Sequence, residues 1–224
     1  MHIPDGFLNN GLAGGLLAGA LGMLAFSFSK VLSALTVFSG KLTGNSGNVS
    51  FSGSFPGLSS DAGKYFAKLA IIAIWVFASQ TFNITVASAT SVHLIGGVFA
   101  AVLAGPFAGF LIISSVLIVQ SAFFADGGFL ALGANIFNMA FIGSFLSYYV
   151  YKAVLKKNYY IAVAAACFFS VLTAALFCLF ELGISGSVSF AQAFKDMMSL
   201  HFLFAVVETA ITLFLLKLFK LLEI

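Results

Sequence analysis

Seven apolar stretches, at 12–29, 68–87, 93–104, 107–124, 129–151, 159–182 and 200–222, occupy most of this 224-residue chain, with short polar breaks between most of them. Most are near the roughly 20 residues that an α-helix needs to cross a bilayer. Strands of a transmembrane barrel would alternate apolar and polar residues over about ten positions, whereas runs such as 71–77 and 161–169 are continuous. Water is a poor solvent for such a chain: 8% of its residues are charged and 61% hydrophobic, against about 25% and 45–50% in soluble domains. Disorder, which needs low hydrophobicity and high net charge, is excluded on the same ground. The expected fold is an all-α integral membrane protein, a seven-helix transmembrane bundle forming a single domain over residues 1–224.

The third stretch is short and ends at Gly105-Pro106. Proline lacks a backbone donor and turns the residue before it away from helix. We therefore read 93–124 as a short helix, a tight turn and a full helix rather than one kinked span. Lysine placement separates the two readings. With the amino terminus outside, seven spans place Lys30, Lys41, Lys64, Lys68, Lys152, Lys156, Lys157, Lys217 and Lys220 inside and only Lys195 outside, the bias expected of cytoplasmic loops. Six spans split the same ten lysines five and five. The carboxyl terminus is then inside, and the protein is expected to be multi-pass in the cell membrane. The Ser-, Gly- and Asn-rich segment 40–63 is expected to be a polar cytoplasmic loop. On the first helix, Gly11, Gly15 and Gly19, with Gly14, Ala18 and Gly22 one face over, make a small-residue surface suited to close packing in lipid. Asp5 is the only charge before Lys30, so the cationic region that opens a signal peptide is missing and no cleavage is expected.

Nucleic acid is not an expected partner. All ten basic residues are lysine, the net charge is only +3, and the aromatics lie inside apolar runs, unlike a basic, base-stacking surface. Cys167 and Cys178 are 11 residues apart, about 16 Å along a helix and beyond disulfide reach, so they read as packing residues. Walker-type loops and HExxH, CxxC and GxSxG patterns are absent from the sequence, so ATP hydrolysis and hydrolase chemistry have no sequence support and the chain is not expected to be an enzyme of either kind.

In so apolar a chain each polar side chain is informative, because ionisable groups at membrane depth are costly. A free amine on Met1, the amide of His2 and the His2 ring nitrogen nearest the main chain can close a five- and a six-membered chelate ring around one metal ion. Three nearly coplanar nitrogens suit a metal that accepts tetragonal or square-planar geometry, Ni²⁺ or Cu²⁺, with low-spin Co²⁺ also fitting. His93, on the same outer side, supplies a candidate fourth nitrogen, and Gly96 and Gly97 after it permit close backbone approach. Taken singly, His2 also reads as an ordinary chain end and His93 as a helix-start histidine bonded to a neighbour. A membrane metalloprotein or redox enzyme using the His2/His93 pair is the alternative, though it would need a general base and an open coordination position. Asp5 is expected to help fold the terminal segment back into the bundle, as a cap or by holding an N–H near the ligands. Asp126-Gly127-Gly128 reads as a turn. Of the amides at this end, Asn135 is expected to support the ligands and Asn138 to tie helices together, while Gln120 fits either role. His201 and Glu208, seven apart, share a face of the last helix; Glu208 is expected to be protonated, paired within the bundle or facing another subunit.

The motif MHIPDGFL at 1–8 resembles the amino-terminal signature of the CbiM/NikM family, the substrate-binding membrane components of cobalt and nickel energy-coupling-factor (ECF) ABC transporters. The resemblance continues through TSVHLIGG at 90–97, GPFAG at 105–109 and QSAFFADGGFLALGANIFNM at 120–139. It implies uptake of Ni²⁺ or Co²⁺ as transported substrate, held by the Met1 amine, the His2 amide and imidazole, and His93, with residues 1–10 as the metal-binding segment. It also implies a transmembrane coupling subunit, two cytoplasmic ATPase subunits and, as no fused accessory segment follows, a separate small accessory membrane subunit. The family usually carries Pro and Gly just before the His motif, where this chain reads ITVASATSVH, so the loop presenting His93 is expected to be shaped differently.

Overall fold

Asn9 starts the first helix: its side-chain oxygen accepts the Leu12 N–H at 2.9 Å, satisfying a donor that the first turn leaves without a partner. The computed structural model describes residues 1–42, 61–86 and 90–222. Helix α1 spans Asn10–Leu42, well past the end at 29 expected from hydropathy, because no proline interrupts it and Ser33 folds its hydroxyl onto the Ser29 carbonyl. At 33 residues it is about 50 Å long, so it overshoots a hydrocarbon layer of about 30 Å. Most of the segment read as a cytoplasmic loop, residues 43–60, lies outside the described residues.

Helix α2 follows at Asp61–Gln80. A two-stranded ribbon that hydropathy did not anticipate comes next: β1 (Ile84–Val86) pairs antiparallel with β2 (Thr90–Val92), Thr85 opposite Ser91. β-Branched residues favour this extended backbone, and they occupy ITVASATSVH, where the family pattern differs. The third stretch is helical only from Gly97, as α3 (Gly97–Ala104), which leaves His93 on a non-helical connection. Gly105, at φ +87°, ends α3, and Pro106 opens α4 (Pro106–Phe123), as the tight-turn reading predicts.

The fifth rod begins at 132 rather than 129. It joins α5 (Leu132–Asn135), a π-helical segment (Ile136–Leu146) and α6 (Ser147–Leu155) without a break. Helix α7 covers Tyr159–Ile184 behind an Asn158 cap, and α8 covers Phe190–Leu221, starting ten residues before the expected 200. Seven helical rods thus stand among the described residues; α1, α4, α7 and α8 are long and apolar enough to cross a membrane by length and composition.

The core lies between α3, α4, the π segment and α7, with α8 packed along α7. Helix α3 and the π segment meet tightly at Gly97, where a Cβ would fall 2.2 Å from the Gly143 carbonyl. Cys167 and Cys178 are both buried in α7. Among the described residues nothing packs on the glycine face of α1: a methyl group on Gly14, Gly15, Gly19 or Gly22 would meet none of their atoms within 4 Å.

Candidate metal centre

Residues 1–3 are threaded into the end of the bundle. Met1 and Ile3 are fully buried and His2 is 4% exposed, so this segment is no frayed terminus. Main-chain pairing holds it. Asn135, at the last turn before the π segment, accepts the Ile3 N–H at 2.8 Å and returns its own amide N–H to the Ile3 carbonyl at 3.2 Å. Gly128 donates to the same carbonyl at 2.8 Å. Asp5 does not cap its own helix; its carboxylate accepts the N–H groups of Phe129, Leu130 and Ala131 at 3.1, 2.7 and 3.3 Å. The anion thus satisfies the free donors leading into α5 and clips the terminal segment to the 126–131 turn.

That turn does more than reverse the chain. Gly127 has φ +86°, and a Cβ on it would lie 2.7 Å from His2 Nδ1; one on Gly128 would lie 2.2 Å from an Asp5 carboxylate oxygen. Only a backbone without side chains fits so closely around residues 2–5.

The Met1 amine donates to the carbonyl of Ser91 on β2. Two residues on, His93 is fully buried, and its ring lies 4.6 Å from that of His2, centroid to centroid, at 51°. His93 Nδ1 is 2.8 Å from the Leu94 carbonyl. A carbonyl only accepts, so Nδ1 carries the proton and Nε2 is a bare acceptor, buried and with no hydrogen-bond partner among the described residues. A histidine held by its other nitrogen in this way has the tautomer a metal ligand requires.

Electrostatics favour neutral ligands. Burial pushes the Met1 amine down from 8.0 to about 5, only partly offset by Cys178 and Asp126. His2 falls to about 3, through burial first and then the neighbouring amine. An uncharged amine keeps the lone pair that a metal ion needs. Asp126 sits at the rim, its carboxylate 3.7 Å from His2 Nδ1, and burial raises its pKa.

The structure brings Met1, His2 and His93 together, with Asp5 and Asn135 holding the segment that carries the first two. Among the described residues no three His, Cys, Asp or Glu side chains gather as a ligand group, so a metal ion bound here would need main-chain nitrogen. One detail departs from the chelate expected from sequence. His2 Nδ1 lies 3.1 Å from the Asp126 carbonyl, and the six-membered ring requires the imidazole to turn about its Cβ–Cγ bond. Asn138 ties the π segment to α7 by donating to Glu181 at 2.6 Å, a partner that sequence reasoning did not single out. His201 is fully buried on α8, with Nδ1 2.6 Å from the Met197 carbonyl and Nε2 without a partner among the described residues. It lies close enough to the Met1 amine and His93 to feel their charges, a third imidazole near the centre.

Comparison with known proteins decides the family. The family described as the cobalt uptake substrate-specific transmembrane region, CbiM, matches over residues 49–223. This chain belongs to that family. A relative from Archaeoglobus fulgidus bearing the name fused nickel transport protein NikMN is 34% identical over 95% of this chain and 63% of its own length. The cobalt transport protein CbiM of Thermosipho melanesiensis is 35% identical over 52% of this chain and 50% of its own. The chain thus spans less than two thirds of either relative. Crystal structures described as a transition metal transporter and its truncated form share 29% identity and superpose with TM-scores of 0.80 and 0.79. Both cover all of this chain, and 95% and 99% of theirs. CbiM-family membership and the apolar helical rods make the protein a membrane protein.

Proposed function

We propose that this protein is the substrate-binding component of an ECF-type ABC transporter that takes up Ni²⁺ or Co²⁺ across the cell membrane. The observation that supports it best is the buried main-chain amine of Met1, bonded to the Ser91 carbonyl two residues before His93, with the His2 and His93 rings 4.6 Å apart. The ligands are the Met1 amine, the His2 amide and imidazole, and His93 Nε2. Asp5 and Asn135 keep the terminal segment seated. Four nitrogens in a plane favour Ni²⁺, with low-spin Co²⁺ as the other fit. The site faces outside, where the ion is captured. A transmembrane coupling subunit and two cytoplasmic ATPases supply the energy, and a separate accessory membrane subunit completes the assembly.

Calorimetric titration of the purified protein with Ni²⁺ and Co²⁺, beside a form extended by one residue at the amino terminus, tests this reading. A one-to-one site in the native form that is lost in the extended form is the expected result. Tight binding that survives the extension would refute the amine ligand. His2→Ala and His93→Ala should each abolish high-affinity binding while the bundle stays folded.

A further inference from the structure

Glu208 lies in the last helix, 115 residues after His93 in the chain, yet it grips the His93 connection. It is 2% exposed, and its two carboxyl oxygens accept the N–H groups of Ile95 and Gly96 at 2.8 and 2.7 Å. Those N–H groups precede α3, which begins at Gly97 behind a left-handed Gly96 at φ +69°. Glu208 therefore caps α3 from another helix, placing an acid where the helix dipole favours it. Gln80, fully buried at the end of α2, holds the same residue from the other side, donating to the Ile95 carbonyl at 2.7 Å. Three hydrogen bonds from two helices thus fix the peptide units just past His93. Without them, a buried donor, a part-buried donor and a buried acceptor would be left without partners, a costly arrangement at membrane depth.

We propose that Glu208 and Gln80 are positioning residues for the metal site. They set the path of residues 94–96 and so hold His93 in place to complete the ligand set, and they make that ligand depend on where α8 sits. The inference rests on the metal site proposed above. His93 and the terminal chelate come from separate segments, so a fault in the His93 connection should weaken only the His93 contribution.

The test is a double-mutant cycle read by Ni²⁺ titration of the full chain, with wild type, Glu208→Gln, Gln80→Ala, His93→Ala and the two doubles containing His93→Ala. Cu²⁺, which nitrogen ligands bind more tightly, serves as the probe where His93→Ala loses Ni²⁺ from the measurable range. Glu208→Gln should weaken binding about tenfold or more and Gln80→Ala about threefold. On the His93→Ala background neither should cost more than about twofold further, because the ligand they position is gone. If Glu208→Gln does not fold, the Gln80→Ala pair carries the cycle alone. Trp75, the single tryptophan, lines a small cleft with Gly96 and Glu208, and its emission should shift in both single variants. Unchanged affinity in the folded single variants, or the same loss with and without His93, would overturn the positioning role alone. Wild-type affinity in His93→Ala would overturn the metal reading and this inference with it.

Discussion

At Met1 the ordinary amine value of 8.0 falls to about 5, and the His2 ring falls to about 3. Between pH 6 and 7.5 both groups are neutral and neither releases a net proton on binding; the His2 ring proton, on Nδ1 opposite the Asp126 carbonyl, moves to Nε2. The proton lost on binding is then that of the His2 amide. We expect about one proton released per Ni²⁺, where an amine at 8.0 would add most of a second; calorimetry in buffers of different ionisation enthalpy counts them. Affinity should fall roughly tenfold per pH unit lowered, and more steeply only below about 5, where the amine takes up its proton. Gly127 offers a steric counterpart. Its φ of +86° and the 2.7 Å from a Cβ to His2 Nδ1 lead us to expect that Gly127→Ala destabilises by about 1–3 kcal/mol and weakens Ni²⁺ binding. A variant with unchanged melting and affinity would refute that fit. That Met1, His2 and His93 come together at one end of the bundle was legible in the sequence because so few polar groups compete with them. Pairing of Glu208 within the bundle was among the expectations, but its partners, and any role for Gln80 and Glu181, were not legible, because these side chains bond to groups on other elements, in two cases to main chain that carries no side-chain signature.

Between elements, contact distance sorts the glycines in a way that hydropathy does not. A methyl on Gly97 would strike the Gly143 carbonyl at 2.2 Å, whereas one on Gly22 meets nothing within 4 Å among the described residues. Gly97→Ala should therefore part α3 from the π segment and cost about 1–3 kcal/mol. Gly22→Ala should leave the isolated protein as stable or slightly more so, since glycine weakens a helix by about 0.5–1 kcal/mol. Thermal unfolding in detergent compares the two, and equal melting points would contradict this packing. The number of helical rods was legible in the sequence, including the break at Gly105-Pro106. Their ends were not: α1 runs 13 residues past the expected 29, and α8 starts at Phe190, because polar residues continue a helix that hydropathy alone would stop. Nor was the π segment, whose widened turns are supported by contacts from elsewhere. Ser170 on α7 donates to the Gly143 carbonyl at 2.8 Å, and Ser147 reaches back to Ile142 at 2.8 Å.

For the molecule as a whole, the chain segments 1–9, 124–131 and 185–187 meet at one end: the Asn9 N–H bonds to Ser185, Ser187 bonds to the Phe7 carbonyl, and Asp5 bonds to Leu130. With that end outside, Lys195→Cys should react with an impermeant thiol reagent in intact cells, and Lys156→Cys only after permeabilisation. The reverse pattern would invert the proposed topology; Cys167 and Cys178, buried in α7, should contribute little background. The bond from Gly96 to Glu208 spans 112 residues, which carries a consequence for synthesis. At roughly 5–20 residues per second, the ribosome needs roughly 6–20 s after making Gly96 before its partner exists. Throughout that interval the peptide beside His93 must borrow its hydrogen bonds from water or headgroups, so a nascent chain stalled before the eighth helix should be inserted in the bilayer yet unable to retain its ion.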